Sequence, residues 1–248
     1  MLCFLTYAFK VTKEIIDRAT NLEIIANFGA GYDNIDVNYA ITKGILVTNS
    51  PKPVIEPTAE LAFSLLLNVA RRISECDRKL RSSRGIEIDV MENLGISLYG
   101  KTLGIVGMGA IGQALARRAS ACGMRIIYYN RKRLSQEIEN AYEADWVSLN
   151  ELLATSDFIS LHAPATSETY HMIDIQQFKL MKPSVVLINT ARGNLINERV
   201  LIHFLQKKEY LVRGWMYLKM SLKYLRNYYS LIMCYYHLIM AQGLLIHV

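Results

Sequence analysis

The stretch that decides the fold runs from Thr102 to Gly112, TLGIVGMGAIG. Thr102–Val106 is a run of strand type, and Gly107-Met108-Gly109-Ala110-Ile111-Gly112 follows at once. The segment QALARRASACG then continues in a helical pattern up to a second apolar run, Arg125–Tyr129. A βαβ unit that holds a dinucleotide needs this order. Gly107 permits the tight turn, Gly109 lets backbone N–H groups approach a pyrophosphate, and Gly112 lets the helix pack on the strand. The helix N-terminus at Ala110 and Ile111 supplies positive potential to the phosphates. A GxGxxG motif alone is weak; here strand, helix and second strand all fall where the unit requires them.

Alternation continues downstream, with a helix over Leu149–Thr155, a strand over Phe158–His162, a helix over Ile175–Leu180, a strand over Ser184–Asn189 and a helix over Glu198–Lys207. This pattern predicts an α/β fold with a doubly wound, Rossmann-like parallel sheet that binds NAD or NADP. Position 130 bears on which. An NAD site usually places Asp or Glu roughly 20 residues after the glycines to hold the ribose 2′-hydroxyl. This chain has Asn130 followed by Arg131, Lys132 and Arg133. Losing a carboxylate and gaining cations favours a 2′-phosphate, so the reading leans to NADP, with a solvated basic turn that accepts NAD as the alternative.

Upstream, residues 11–20 have a helical pattern, Leu22–Asn27 reads as a strand, a helix-like DNIDVNYAITKG follows Phe28-Gly29-Ala30-Gly31-Tyr32, and Ile45–Thr48 reads as a second strand. That is βαβ patterning in a partial domain. Ala59–Leu80 reads as one long helix with Thr58 as N-cap. The polar stretch 81–100 marks a boundary, which divides the chain into a partial domain with its connecting helix (1–80), a nucleotide-binding domain (81–214) and a tail (215–248).

Composition narrows the function classes. The 248 residues are 52% hydrophobic and carry a net charge of +6. Arg213, Lys219, Lys223 and Arg226 supply four of those charges, and what remains gives no basic cluster or aromatic platform for nucleic acid. The four cysteines lack CxxC pairing and His neighbours, so neither a metal site nor a disulfide framework is expected; they read as reduced, mostly buried thiols. Met1–Lys10 has no cationic lead-in and is too short to span a membrane, which reads as a cytoplasmic protein without a signal peptide.

Five separated motifs, NFGAGYDNID, PTAELAFSLLLNVARR, GKTLGIVGMGAIG, LHAPATSETYHMID and MKPSVVLINTARG, resemble in order and spacing the D-isomer-specific 2-hydroxyacid dehydrogenases, in particular the glyoxylate/hydroxypyruvate reductase-like branch. The resemblance covers about residues 9–212. It implies two Rossmann-like domains, here a nucleotide domain plus a partial flavodoxin-like substrate domain, and hydride transfer between NAD(P) and a small 2-keto or 2-hydroxy acid. By the same resemblance the Ala30-Gly31 backbone holds the substrate carboxylate, His162 and Pro164 border the nicotinamide, Thr190 lies at the cofactor, and Arg192 is the catalytic arginine. Intact members of the family commonly form homodimers. The family's acid segment, similar to DVFxxEP, and its later PH dipeptide, which carries the catalytic histidine, are absent: no Pro follows Pro183 and no Glu follows Glu209.

The tail accounts for that absence. Trp and Met each have one codon, so a shifted frame forces DV from Trp215-Met216-Tyr217 and VLL from Met233-Cys234-Tyr235-Tyr236, and permits DVFENEPE and PHNG at family spacing. The tail therefore reads as a frame slip near Arg213–Trp215, which leaves an impaired dehydrogenase or a non-catalytic nucleotide-binding remnant. The competing reading is a C-terminally membrane-anchored binding protein, because residues 227–248 carry no Asp, Glu, Lys or Arg.

Overall fold

Parallel strands that are apolar at nearly every position must be covered on both faces, and the covering elements are the crossover helices themselves. The computed structural model, which describes residues 2–6, 9–82, 85 and 92–206, shows this in two compact units, Met1–Pro57 and Thr58–Val248. The tail from 207 onward, with both its frame-slip and its anchor readings, lies outside the described residues.

In the first unit, β1 (Leu2–Thr6), β2 (Leu22–Asn27) and β3 (Leu46–Asn49) form a parallel sheet in the order β1-β2-β3, with α1 (Lys13–Arg18) and α2 (Val37–Thr42) as connections. Val11, Ile16, Ile25, Ile35, Ala40 and Ile45 make its core. Asp36 starts α2 by accepting the Tyr39 N–H at 3.1 Å. β1 was not expected from the sequence: LCFLT has no alternation, and Leu2 and Leu5 are exposed.

α3 (Ile55–Ala70) begins three residues before Thr58, so that residue is not a cap. The expected single helix also breaks. Arg72 takes a left-handed conformation (φ 55°), and α4 (Ile73–Arg81) follows. The cause is competition for hydrogen bonds. The Ala70 carbonyl accepts from Ile96 N–H at 2.7 Å, while Ser74 N–H, which an unbroken helix would send to Ala70, donates to Asn68 Oδ1 at 2.9 Å.

The larger sheet contains β4 (Thr102–Val106), β5 (Arg125–Tyr129), β6 (Ala144–Trp146), β7 (Phe158–Leu161) and β8 (Val186–Asn189), all parallel, in the order β6-β5-β4-β7-β8. Around it run α5 (Ala110–Ala121), α6 (Gln136–Tyr142), α7 (Leu149–Thr155), α8 (Ile175–Leu180) and α9 (Glu198–Gln206). β7 and β8 are buried at every residue. Leu152, Ile159, Phe178, Leu187, Leu195 and Phe204 belong to one core, in which the Phe178 and Phe204 rings stack with centroids 5.1 Å apart. An Asp174–Gln177 capping box starts α8. α6 and β6 were not read from the sequence; β6 has three residues, too few for a period to show.

The sheet direction reverses between β4 and β7: from β4 the chain moves outward to β5 and β6, then returns to β7 on the other side. Open α/β sheets bind ligands outside the strand ends at such a switch point. The thiols differ from the expectation of burial, with Cys3 exposed and Cys76 and Cys122 partly exposed, all three free. Among the described residues no helix is long and apolar enough to cross a membrane.

A methyl group at Gly112 would lie 2.7 Å from the Gly107 carbonyl oxygen and 3.1 Å from Ile105 Cγ2, whereas one at Gly109 would meet nothing within 4 Å. Gly112→Ala should therefore cost about 1–3 kcal/mol through overpacking. Gly109→Ala should leave the urea-unfolding free energy within about 0.5 kcal/mol of the parent. Equal effects of the two substitutions on urea unfolding would contradict this packing.

Candidate functional site

The C-terminal ends of β4, β5, β7 and β8 carry the residues expected to act. After β4 the chain turns at Gly107 (φ 95°), whose N–H donates to Tyr129 O at 3.0 Å, and Gly109 N–H closes back on Gly107 O at 2.9 Å. A Cβ at Gly107 would sit 2.7 Å from Ala163 N and 2.8 Å from the His162 carbonyl carbon, so the loop after β7 rests directly on the turn. Gly109 and Ala110 are exposed, Ile111 is half-buried and Gly112 is buried. The first N–H groups of a helix have no partner within it, which leaves the start of α5 facing the open side of Gly109 with donors.

Asn130, at the end of β5, does more than replace a carboxylate. Its Oδ1 accepts the Met108 N–H at 2.7 Å, bracing the glycine turn. Its remaining side-chain group is the Nδ2 donor. Of the three cations that follow, Arg131 pairs with Glu168 at 2.7 Å on the surface, Lys132 is exposed, and Arg133 turns back to the buried Glu139.

His162, half-buried after β7, shares a hydrogen bond of 2.8 Å between its Nε2 and Ser160 Oγ. Desolvation pushes its imidazole down to about 4, so the ring is neutral near pH 7 and is no proton donor there. Pro164 is exposed, and its carbonyl accepts from Thr169 Oγ1 at 2.6 Å. Thr190 is buried and its Oγ1 has no hydrogen-bond partner among the described residues. Arg192 is half-buried, with Nη1 donating to Ala191 O at 2.8 Å. The fully buried Asn189 fixes this corner: its Nδ2 donates to Arg192 O at 2.8 Å and its Oδ1 accepts Ala191 N–H at 3.0 Å.

The first unit has a counterpart at the end of β2. The Gly29, Ala30 and Gly31 carbonyls accept from Ser50 N–H (3.0 Å), Asn49 Nδ2 (2.7 Å) and Asn27 Nδ2 (2.9 Å). A trans peptide points its N–H opposite to its C=O, so the amides of Ala30, Gly31 and Tyr32 face away from these donors. Sequence reasoning missed Asn27, Asn130 and Asn189 as loop braces; the only signal was an Asn at or just past a strand end, directly before a turn.

A family model of the D-isomer specific 2-hydroxyacid dehydrogenase NAD binding domain matches residues 63–213. The chain belongs to the D-isomer specific 2-hydroxyacid dehydrogenases. Among relatives of this family, a glyoxylate reductase from Thermococcus litoralis is 50% identical over 210 residues, and the chain spans 83% of itself and 61% of that relative's length. Among solved structures, an acyclic imino acid reductase in complex with NADPH and D-Arg superposes with a TM-score of 0.84 at 32% identity, covering 93% of this chain and 73% of the other. D-lactate dehydrogenase from Aquifex aeolicus, complexed with NAD and lactic acid, gives 0.82 at 31% identity, covering 92% and 68%. The dehydrogenase family thus accounts for the sheet order and for the glycine turn of this chain.

The depressed His162 value fixes a pH dependence. The folded ring protonates only near 4, below its ordinary value of 6.5, so between those values the unfolded chain binds the extra proton. This contribution to stability is complete above about 6.5 and is lost as pH falls through about 4. His162→Gln should flatten the fall in urea-unfolding free energy between pH 6.5 and 4.5. A His162 ring that titrates near 6.5 by NMR in the folded chain would contradict the desolvation.

Proposed function

We propose that this chain derives from an NAD(P)H-dependent reductase of small 2-keto acids, with glyoxylate or hydroxypyruvate as the substrate type, and that it binds NADPH in preference to NADH. The observation that carries the reading is the glycine turn at the β4–β7 switch point, with open space at Gly109 and the start of α5 beside it. The residues fit a dinucleotide. Gly107 makes the turn, Gly109 admits the pyrophosphate, Ala110, Ile111 and Gly112 begin the helix that faces it, and Thr190 Oγ1, without a partner among the described residues, is a buried polar atom suited to a bound group. His162 and Pro164 border the nicotinamide side. When bound, the cofactor supplies hydride.

NADP is favoured because position 130 carries an amide, with Oδ1 accepting Met108 N–H, in place of the carboxylate that usually holds a 2′-hydroxyl. Asn130 Nδ2 and the exposed Arg131 and Lys132 are donors, which suit a 2′-phosphate. In this assignment Arg192 grips the keto acid with its forked donors and polarises the carbonyl, and the amides of Ala30 and Gly31 receive a carboxylate. Residues 1–80 serve as part of the substrate domain and 81–214 as the nucleotide domain, in a cytoplasmic protein for which the family resemblance implies a homodimer. The named activity of the Thermococcus litoralis relative supports the substrate class.

Among the described residues of the site none is placed to donate the proton, since the desolvated His162 ring is neutral near pH 7. With no proton donor in the described site, a polypeptide of these 248 residues should turn over glyoxylate about 10²–10⁴-fold more slowly than a reductase that has one. The same observation favours a second reading, a nucleotide-binding remnant without catalysis.

Titration of the purified chain with NADPH and NADH, followed by nicotinamide fluorescence, tests the cofactor assignment. Tighter binding of NADPH, weakened by Gly109→Val, is expected; no binding of either would overturn it. Glyoxylate-dependent oxidation of NADPH at the rate of an intact reductase would overturn the loss of the proton donor.

A further inference from the structure

Three cations follow β5, but the structure does not use them alike. Arg133 Nε and Nη2 donate to Glu139 Oε1 and Oε2, each at 2.8 Å. Tyr128, fully buried on β5, donates its hydroxyl to the same Oε1 at 2.6 Å and accepts Leu134 N–H at 2.9 Å. The turn is thus tied to α6 through Arg133 and to β5 through Leu134. The guanidinium of Arg133 also lies 5.9 Å from the centre of the Trp146 ring, within cation–π range, and Trp146 Nε1 donates to Asn130 O at 3.3 Å. A continuous set of contacts therefore runs from Glu139 through Arg133, Trp146 and Asn130 to Met108 in the glycine turn.

The electrostatics agree with the geometry. Glu139 is 5% exposed, yet its carboxylate is held down at about 2, first by the Arg133 hydrogen bonds and then by the Tyr128 hydroxyl, so pairing outweighs burial. Burial, followed by the Glu139 contact, pushes the Tyr128 hydroxyl up to about 12. A bidentate Arg–carboxylate pair has fixed geometry, and removing either partner strands the other.

We infer that Tyr128, Glu139 and Arg133 form a latch that sets the conformation of the turn after β5, so that Arg133 is a positioning residue and only Arg131 and Lys132 supply cationic contacts to a 2′-phosphate. This deepens the NADP assignment and rests on it. Arg133 has spent Nε and Nη2 on Glu139, whereas Lys132 carries no such tie and Arg131 is held only by an exposed partner, Glu168, whose attraction is weakened by solvent. The consequence is specific: Glu139, which bears the same charge as the phosphate, helps the chain to bind it.

The test compares Arg131→Ala, Lys132→Ala, Arg133→Ala, Glu139→Gln and the Arg133→Ala/Glu139→Gln double variant, each titrated with NADPH and with NADH. Loss of Arg131 or Lys132 should weaken NADPH about tenfold and leave NADH unchanged. Arg133→Ala and Glu139→Gln should each weaken NADPH by a similar factor, and the double variant should be no worse than either single one. Arg133→Lys, which keeps the charge without the fork, should behave like Arg133→Ala and serves if Glu139→Gln does not fold. Tighter NADPH binding in Glu139→Gln, or additive losses in the double variant, would show that Arg133 meets the phosphate directly and overturn the latch.

A second readout needs no cofactor. In a Trp215→Phe background the emission of Trp146 should shift in both Arg133→Ala and Glu139→Gln; an unmoved spectrum overturns the latch. Equal affinity of the parent chain for NADPH and NADH would instead sink the 2′-phosphate reading, with the Trp146 spectra still deciding whether the latch exists.

Discussion

Backbone meets backbone at Gly107, and the arrangement of the nucleotide-binding edge depends on that approach. The turn after β4 lies so close to the His162–Ala163 peptide that a single methyl group would not fit. Two strands adjacent in the sheet but separated by some 50 residues of chain can bring their loops this near only if one loop lacks a side chain at the contact. Gly112 extends the condition to α5, whose first turn would otherwise be pushed off β4. Close packing in this case directly produces an opening: the helix start and Gly109 are left facing solvent, while His162 is desolvated to the point of neutrality.

Asparagines also brace loops at strand ends, within each unit by itself. Asn27, Asn130 and Asn189 lie at or next to the ends of β2, β5 and β8, and each side chain satisfies backbone groups of a following or facing loop. An amide offers a donor and an acceptor together, so it can hold a turn that has no regular ladder. Asn130 combines the bracing role with a chemical one, since its Oδ1 binds Met108 N–H and its Nδ2 remains a donor.

Much of this was legible in the sequence. β4 and β5 fall on the residues read as strands, α7 and α8 on those read as helices, because apolar runs bounded by glycine and polar turns leave little choice of period. The break between α3 and α4 was not legible: it depends on Ile96 taking the Ala70 carbonyl, a contact made across 26 residues. β1 and β6 were missed because a short strand acquires its identity from its neighbour in the sheet. At the site, nothing in the residue pattern marks Arg133 as the cation that pairs with Glu139, since three consecutive cations look alike until a buried partner selects one. The motifs did identify the family, while the substrate and the activity rest on an alignment that spans 61% of one relative's length.

Hydrogen–deuterium exchange of the chain with and without NADPH bears most directly on the central claim, because it reports each backbone segment separately. Slowed exchange confined to peptides covering 107–112, 130–134 and 162–164 is the result this account requires. Unchanged exchange across 107–112 with saturating NADPH, or protection elsewhere alone, would contradict a dinucleotide site at the β4–β7 switch point.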